Sequence, residues 1–366
     1  MGGLGHSDER VRDGGRKRDG RPRAQRAGVQ SWDTSPTQGP VGTSLRKPER
    51  FRNGLRRAAW AALALVALAA AGEVLLRAAG ILNFPLYRLD PEAGYRYAPG
   101  QSGSFLNRNR WTINELSMPT TRRWQPGTAP DLLVVGNSIV AGGNPYDQRE
   151  KLGAAMERAL ADRFAVWPVA TGGWSVVNQM GYLRTFPEVT AAADLFVWSY
   201  TSGGLWSASP WLGDDVFPRE RPRSALAYVV RKQLLQRFGR GFVAQGEGRT
   251  PGTTARSPQE VYAGHLAQFD ATLGALAAAT GRRTPGVLLL YPTAAQLAHA
   301  RGGAEWLAER ADLVRVANGH GVVVIDLAAT HWWEHSHYRD GVHPTVEGNQ
   351  VLARILVEAL DRALEE

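Results

Sequence analysis

The stretch DLLVVGNSIVAGG, residues 131–143, is an apolar run that stops at Gly136 and is followed at once by Asn137 and Ser138. A short apolar run bounded by turn residues predicts a buried strand. The Gly-Asn-Ser turn would then lift a serine hydroxyl off the carboxyl end of a sheet. Such a hydroxyl is a weak nucleophile until a neighbouring imidazole takes its proton. The candidate base stands far along the chain, at His343 in DGVHP, residues 340–344.

Outward from this strand, short apolar runs alternate with helical patterns. The predicted strands are 132–135, 164–169, 195–200, 287–291 and 322–325, with helices near 149–162, 175–185, 258–280, 304–318 and 345–364. Continuous apolar strands separated by amphipathic helices predict an α/β domain with a parallel, doubly wound five-stranded sheet covered on both faces. Ligands of such sheets sit beyond the carboxyl ends of the strands, where Ser138 and the 200–204 loop fall. Residues 205–257 break the rhythm with prolines, glycines and a helix-like piece at 225–238. An insertion this long at a strand's carboxyl end suggests a lid or specificity element, with 239–257 as a surface loop. Residues 83–130 show no sustained period and are expected to be a connector, anchored at the domain edge by Tyr87, Tyr95, Tyr97, Phe105 and Trp111.

The 366-residue chain has no cysteine, which excludes disulfides, thiolate metal sites and a cysteine nucleophile. Its formal net charge of +9 is concentrated in residues 1–57, which hold 14 Lys+Arg against 6 Asp+Glu. The remainder is nearly neutral, so no nucleic-acid partner is expected. The tail is poor in apolar residues and is expected to be disordered. Residues 58–72 are 15 uncharged, mostly apolar residues, and the run continues through Glu73 and Arg77 to Leu82, 25 residues in all. That is enough to cross a bilayer. Glu73 and Arg77, four apart on one helical face, can partly neutralise each other. Arg52, Arg56 and Arg57 precede the segment, so the positive-inside rule places the tail in the cytoplasm and residues 83–366 outside, on a bacterial-type cytoplasmic membrane. Small residues at 69–72 also resemble a signal-peptide cleavage site. Either version exports the domain.

A hydrolytic serine needs a base, a group that orients the base, and donors for the oxyanion. His343 is the candidate base and Asp340 its orienter, since a spacing of three within a loop lets the carboxylate reach the imidazole. An α/β-hydrolase elbow would need G-x-S-x-G, and Val140 stands where its second glycine should be.

Residues 131–366 resemble the SGNH (GDSL-type) hydrolases, a flavodoxin-like family. The first block, usually Gly-Asp-Ser, stands here as Gly136-Asn137-Ser138. The resemblance makes Ser138 the nucleophile and an oxyanion contributor. The second-block glycine, an oxyanion donor through its N–H, is matched by Gly173 in VATGGWSVVNQ, or by Gly172 if the turn shifts by one. The fifth block, DxxHP followed by a helix with an early glycine, is matched by Asp340, His343, Pro344 and Gly348. The third block departs: where GxND is usual, the chain has SYTSGGLW, residues 199–206, with no asparagine. Thr201, Ser202 and the N–H groups of Gly203 and Gly204 are available in its place, and Ser202 is assigned as the third oxyanion donor.

In HWWEHSHYRD, residues 331–340, His335 and His337 would share a face if extended. No third ligand is placed for a metal, and Trp332, Trp333 and Tyr338 suggest aromatic packing. No cofactor is expected. The resemblance implies an exported serine esterase that works through an acyl-enzyme on acyl esters, including O-acetyl groups of cell-envelope or extracellular glycans. Acyl transfer to a glycan hydroxyl is one alternative, and a non-catalytic glycan- or partner-binding domain is another.

Overall fold

The computed structural model of the chain describes residues 48–238 and 257–365. Its elements in order are α1 (Pro48–Ala78), β1 (Tyr87–Asp90), β2 (Gly94–Tyr97), β3 (Gln101–Phe105), β4 (Asn109–Ile113), β5 (Asp131–Gly136), α2 (Ser138–Ala141), α3 (Leu152–Ala159) and β6 (Ala165–Ala170). Then follow α4 (Val176–Thr185), α5 (Pro187–Ala191), β7 (Leu195–Tyr200), α6 (Ala225–Phe238), α7 (Pro258–Thr280), β8 (Gly286–Leu290), α8 (Ala294–Arg301), α9 (Arg310–Gly319), β9 (Val323–Asp326) and α10 (Val346–Glu365). Residues 61–366 form one compact unit.

The central sheet has five parallel strands in the order β6-β5-β7-β8-β9. Every residue of β5, β6, β7 and β8 is buried, as expected when helices cover both faces of a parallel sheet. The period of two sorts their side chains. Leu133, Val135, Trp167, Phe196, Trp198 and Leu288 pack against α4, α7 and α9 through residues such as Met180, Phe269 and Leu313. Leu132, Val134, Val166, Val197, Val287 and Leu289 face α3 and α10 through Leu152, Met156, Leu352 and Leu356. The predicted five-stranded α/β architecture is therefore present, with strand bounds displaced by one residue at most.

Several boundaries differ from the sequence expectation. The 83–130 connector contains two antiparallel hairpins, β1–β2 and β3–β4. Their strands are four and five residues long and carry charged or glycine positions, so no period could accumulate. Arg96 and Asp90 form a buried ion pair at 2.8 Å across the first hairpin. α3 is shorter than expected because Asp147 and Glu150 cap a separate single turn before it, while Ala161 and Asp162 take positive φ after it. The predicted helix at 304–318 begins only at Arg310, and α8 precedes it, capped by Thr293 and Gln296. The piece at 225–238 is helical, as α6. The predicted surface loop at 239–257 lies outside the described residues except for Ser257, which caps α7.

α1 contains an apolar stretch from Arg52 to Ala78 with mean hydropathy 2.1 and no buried share, long and apolar enough to cross a membrane. It takes in residues 48–57, which were expected to be disordered, and ends four residues before the predicted end of the anchor. The rest of the basic tail, residues 1–47, lies outside the described residues.

Candidate functional site

β5 delivers the serine. A Cβ at Gly136 would lie 2.5 Å from Val140 Cγ2 and 3.3 Å from Ser199 Cβ, so only glycine allows the chain to turn there. Asn137 then caps the short helix α2, its Oδ1 accepting from the Ile139 N–H at 3.0 Å. This leaves Ser138 half-buried at the first helical position.

His343 meets it from the other end of the sequence. Its Nε2 lies 2.9 Å from Ser138 Oγ, and its Nδ1 lies 3.0 Å from both carboxylate oxygens of Asp340. An ionised carboxylate only accepts hydrogen bonds, so Nδ1 carries the proton and Nε2 is left to accept from the serine. Burial by itself would raise the Asp340 carboxyl. The bonds it accepts from the His343 backbone N–H, the Arg339 guanidinium and the His343 ring outweigh this and hold it well below the usual carboxylate range.

The 339–344 loop is fixed from several sides. Arg339 Nη2 donates to Asp340 Oδ2 at 2.8 Å, and its guanidinium lies over the Tyr146 ring. Ala294 N donates to Gly341 O at 2.8 Å. Tyr291 OH donates to Val342 O at 2.8 Å, and Tyr146 OH to Pro344 O. Apart from Arg339, which directly precedes Asp340, these supports come from distant elements and leave no spacing in the sequence.

The second and third loops follow from the sheet register. Gly136 pairs with Ala170, so Gly172 and Gly173 leave β6 next to Ser138. Gly173 has φ +79, and a Cβ there would meet Tyr95 OH at 2.9 Å and Phe217 Cζ at 3.0 Å. Among the described residues, the Ser138 and Gly173 backbone N–H groups donate to no other part of the chain.

Val135 pairs with Trp198, which puts Thr201 across from Ser138. Asn137 Nδ2 donates to Thr201 Oγ1 at 3.1 Å. Ser202, assigned from sequence as the third oxyanion donor, is exposed and takes no part in this network; the hydroxyl joined to the serine turn belongs to Thr201. The neighbouring glycine amides are already engaged. Gly203 N donates to Glu309 Oε1 at 3.1 Å, and Gly204 N to Thr201 O at 3.2 Å. Glu309, itself buried, also accepts from Trp206 Nε1 at 2.9 Å, so one carboxylate oxygen holds the loop on both sides.

His335 and His337 do not extend along a shared face. They lie in a single tight turn where His337 Nδ1 accepts from the Glu334 N–H at 2.9 Å. Among the described residues, no group of three His, Asp or Glu side chains is placed to hold a metal ion. Trp333 and Tyr338 are buried against Tyr291.

No protein-family model matches this chain, and no curated protein matches it. It is similar to the solved structure of a lipolytic G-D-S-L family protein from Veillonella parvula, with 14% identity over 64% of this chain and 100% of that one, at a TM-score of 0.36. It is also similar to a carbohydrate esterase family 2 enzyme from Corynascus thermopiles (12% identity, 68% and 70% coverage, TM-score 0.39). A third is the salicylyl-acyltransferase SsfX3 (13% identity, 65% and 57% coverage, TM-score 0.33). The chain itself has a five-stranded parallel sheet flanked by helices, with Ser138 and the loop of Asp340 and His343 brought together beyond that sheet's carboxyl end.

Proposed function

We propose that this chain is a membrane-anchored serine hydrolase of acyl esters. The observation that carries the reading is the unbroken run of hydrogen bonds from Ser138 Oγ to His343 Nε2 and from His343 Nδ1 to Asp340. As Ser138 Oγ attacks the ester carbonyl, its proton passes to His343 Nε2 and then to the leaving alcohol. Asp340 holds the ring in the required tautomer and stabilises the imidazolium. Water, deprotonated by His343, then releases the acid from Ser138. The oxyanion is held by the Ser138 and Gly173 N–H groups and by the Thr201 hydroxyl, in place of the asparagine usual in the third block. The apolar α1 holds the domain at the bilayer, and Arg52, Arg56 and Arg57 before its apolar run favour an external domain. O-acetyl groups on cell-envelope or extracellular glycans are then the accessible substrates. Passage of the same acyl group to a sugar hydroxyl would use the same three residues, with the acceptor replacing water.

The test is release of acetate from an aryl acetate by the full-length chain in detergent, with and without a glycan acceptor, beside Ser138→Ala. Release that needs Ser138 and no acceptor is expected. Acetylation that occurs only with acceptor present would replace hydrolysis by transfer. Folded protein that no serine-reactive phosphonate labels at Ser138 would refute both.

A further inference from the structure

The insertion after β7 is tied to the end of the apolar helix. Glu73 lies five residues before the end of α1, roughly 7 Å along its axis. Its Oε1 accepts from Ala225 N at 2.9 Å, and its Oε2 accepts from Ser224 Oγ and Leu226 N at 2.9 Å each. Arg77 completes the pair at 2.5 Å and donates to Arg223 O. Arg221 Nη1 reaches back to Leu82 O at 2.5 Å, and its guanidinium lies 5.1 Å from the centre of the Phe84 ring. The first turn of α6 is therefore held at the depth of the last turns of α1. The Glu73–Arg77 pair expected from sequence to neutralise itself is also the dock for α6.

The exposed face of this element carries apolar side chains and an excess of basic over acidic ones, five Arg and Lys against three Asp and Glu in residues 212–232. Val216 and Val230 are 46% and 49% exposed. Arg231 pairs with Asp215, which brings the chain at Val216 to α6. Arg223 and Lys232 are exposed and paired with no carboxylate among the described residues. A cleft of about 720 Å³ beside them is lined by Arg219, Arg221, Arg223 and Arg231 together with Asp214, Asp215 and Glu220; Asp214 and Asp215 pair with Arg219 and Arg231, which leaves Arg223 turned to no carboxylate among the described residues. Apolar side chains rimmed by arginine and lysine fit the boundary between headgroups and acyl chains of an anionic bilayer.

We propose that residues 212–232 form an interfacial element lying on the anionic surface of the bilayer that α1 crosses, with Val216 and Val230 at the acyl boundary and Arg223 and Lys232 at lipid phosphates. The proposal rests on the reading of α1 as a membrane span. Its consequence is that the strand-end insertion beside the Ser138 site is held at the membrane surface.

The absence of cysteine makes the test direct. Full-length chain carrying Leu65→Cys, Val216→Cys, Val230→Cys or Val323→Cys is labelled with an environment-sensitive fluorophore and placed in phosphatidylglycerol-containing proteoliposomes with nitroxide lipids. Quenching is expected at positions 65, 216 and 230, and little at 323 on the edge strand β9. Quenching at 65 with none at 216 and 230 overturns the interfacial element and leaves the anchor standing. No quenching at 65 overturns the anchor and the proposal with it. Quenching at 323 equal to that at 230 also overturns the proposal, since adsorption would then be general. Arg223→Glu combined with Lys232→Glu is expected to abolish most of the quenching at 230; unchanged quenching overturns the anionic-lipid assignment.

Discussion

Replacing Thr201 by valine tests how the site makes up for the missing asparagine. The Thr201 hydroxyl accepts from Asn137 Nδ2 at 3.1 Å, so its single hydrogen is free to point at the oxyanion. The nearby Gly203 and Gly204 amides are bound to Glu309 and to the Thr201 carbonyl and cannot take over. Valine keeps the side-chain shape and removes the donor. Loss of one of three oxyanion donors lowers kcat by about 10²- to 10³-fold, or ~3–4 kcal/mol of transition-state stabilisation. KM should change little, because the interaction strengthens only as charge develops. The Asn137 amide loses its acceptor as well, which costs roughly 1 kcal/mol of stability at this half-buried position. The assay is steady-state aryl acetate hydrolysis, normalised to active sites titrated with a serine-reactive phosphonate. Thr201→Ser should restore most of kcat. A Thr201→Val enzyme within a few-fold of wild type in kcat would refute the assignment and move the third donor elsewhere.

Three further perturbations test Asp340, Lys151 and Glu309. Asp340→Asn presents the wrong partner to His343 Nδ1 and should lower kcat by about 10⁴. Because folding depresses the Asp340 pKa, its stabilising contribution is present above an unfolded value of ~4 and lost as pH falls below it; the wild-type Tm should therefore drop more steeply in acid than that of the variant, and parallel curves would contradict this. Lys151 is buried and its pKa is lowered by desolvation to about 8, a cost borne below pH 8 and relieved as pH rises toward its unfolded value. Lys151→Met should then raise Tm at neutral pH, by at most about 3 kcal/mol in stability, and flatten the rise of Tm above pH 8. Glu309→Ala should lower kcat more than it changes KM by freeing Gly203 and Trp206, whereas Glu309→Gln, which keeps an acceptor oxygen, should recover most of the loss.

The sheet was legible because β5, β6, β7 and β8 are short, almost wholly apolar runs buried along their whole length, which burial on both faces allows. The first hairpins were not legible. Their strands are short, and Arg96 and Asp90 are buried as a pair that no single-residue pattern announces. Ser138 and the DxxH loop can be singled out from sequence because each motif is local. Tyr146 and Tyr291, which hold the DxxH loop, and Glu309, which holds the 203–206 loop, act across the fold and leave no spacing to read. Between Thr201, Ser202 and the two glycine N–H groups the sequence does not decide, because the residue facing the serine turn is fixed by the β5–β7 register, which no local spacing encodes.

That register also joins the two departures from the motif pattern of the hydrolases that this sequence resembles. At residue 137 the usual aspartate is an asparagine, and in the third block the usual asparagine is missing. A carboxylate at 137 could accept from Ile139 N but could not donate to Thr201; the Asn137 amide does both, at 3.0 and 3.1 Å. It thereby fixes the Thr201 oxygen as acceptor and leaves its hydrogen for substrate. Asn137→Asp would reverse this. The second carboxylate oxygen would take the only Thr201 hydrogen and place a negative charge beside the forming oxyanion. The bond to Ile139 would survive, and a carboxylate at a helix start is stabilising by up to ~1 kcal/mol. Asn137→Asp should therefore lose kcat about as severely as Thr201→Val while keeping or gaining Tm. Measured together by calorimetry and aryl acetate hydrolysis, an active Asn137→Asp enzyme would show that the amide donates nothing the reaction needs, and the pairing of the two departures would have no chemical basis.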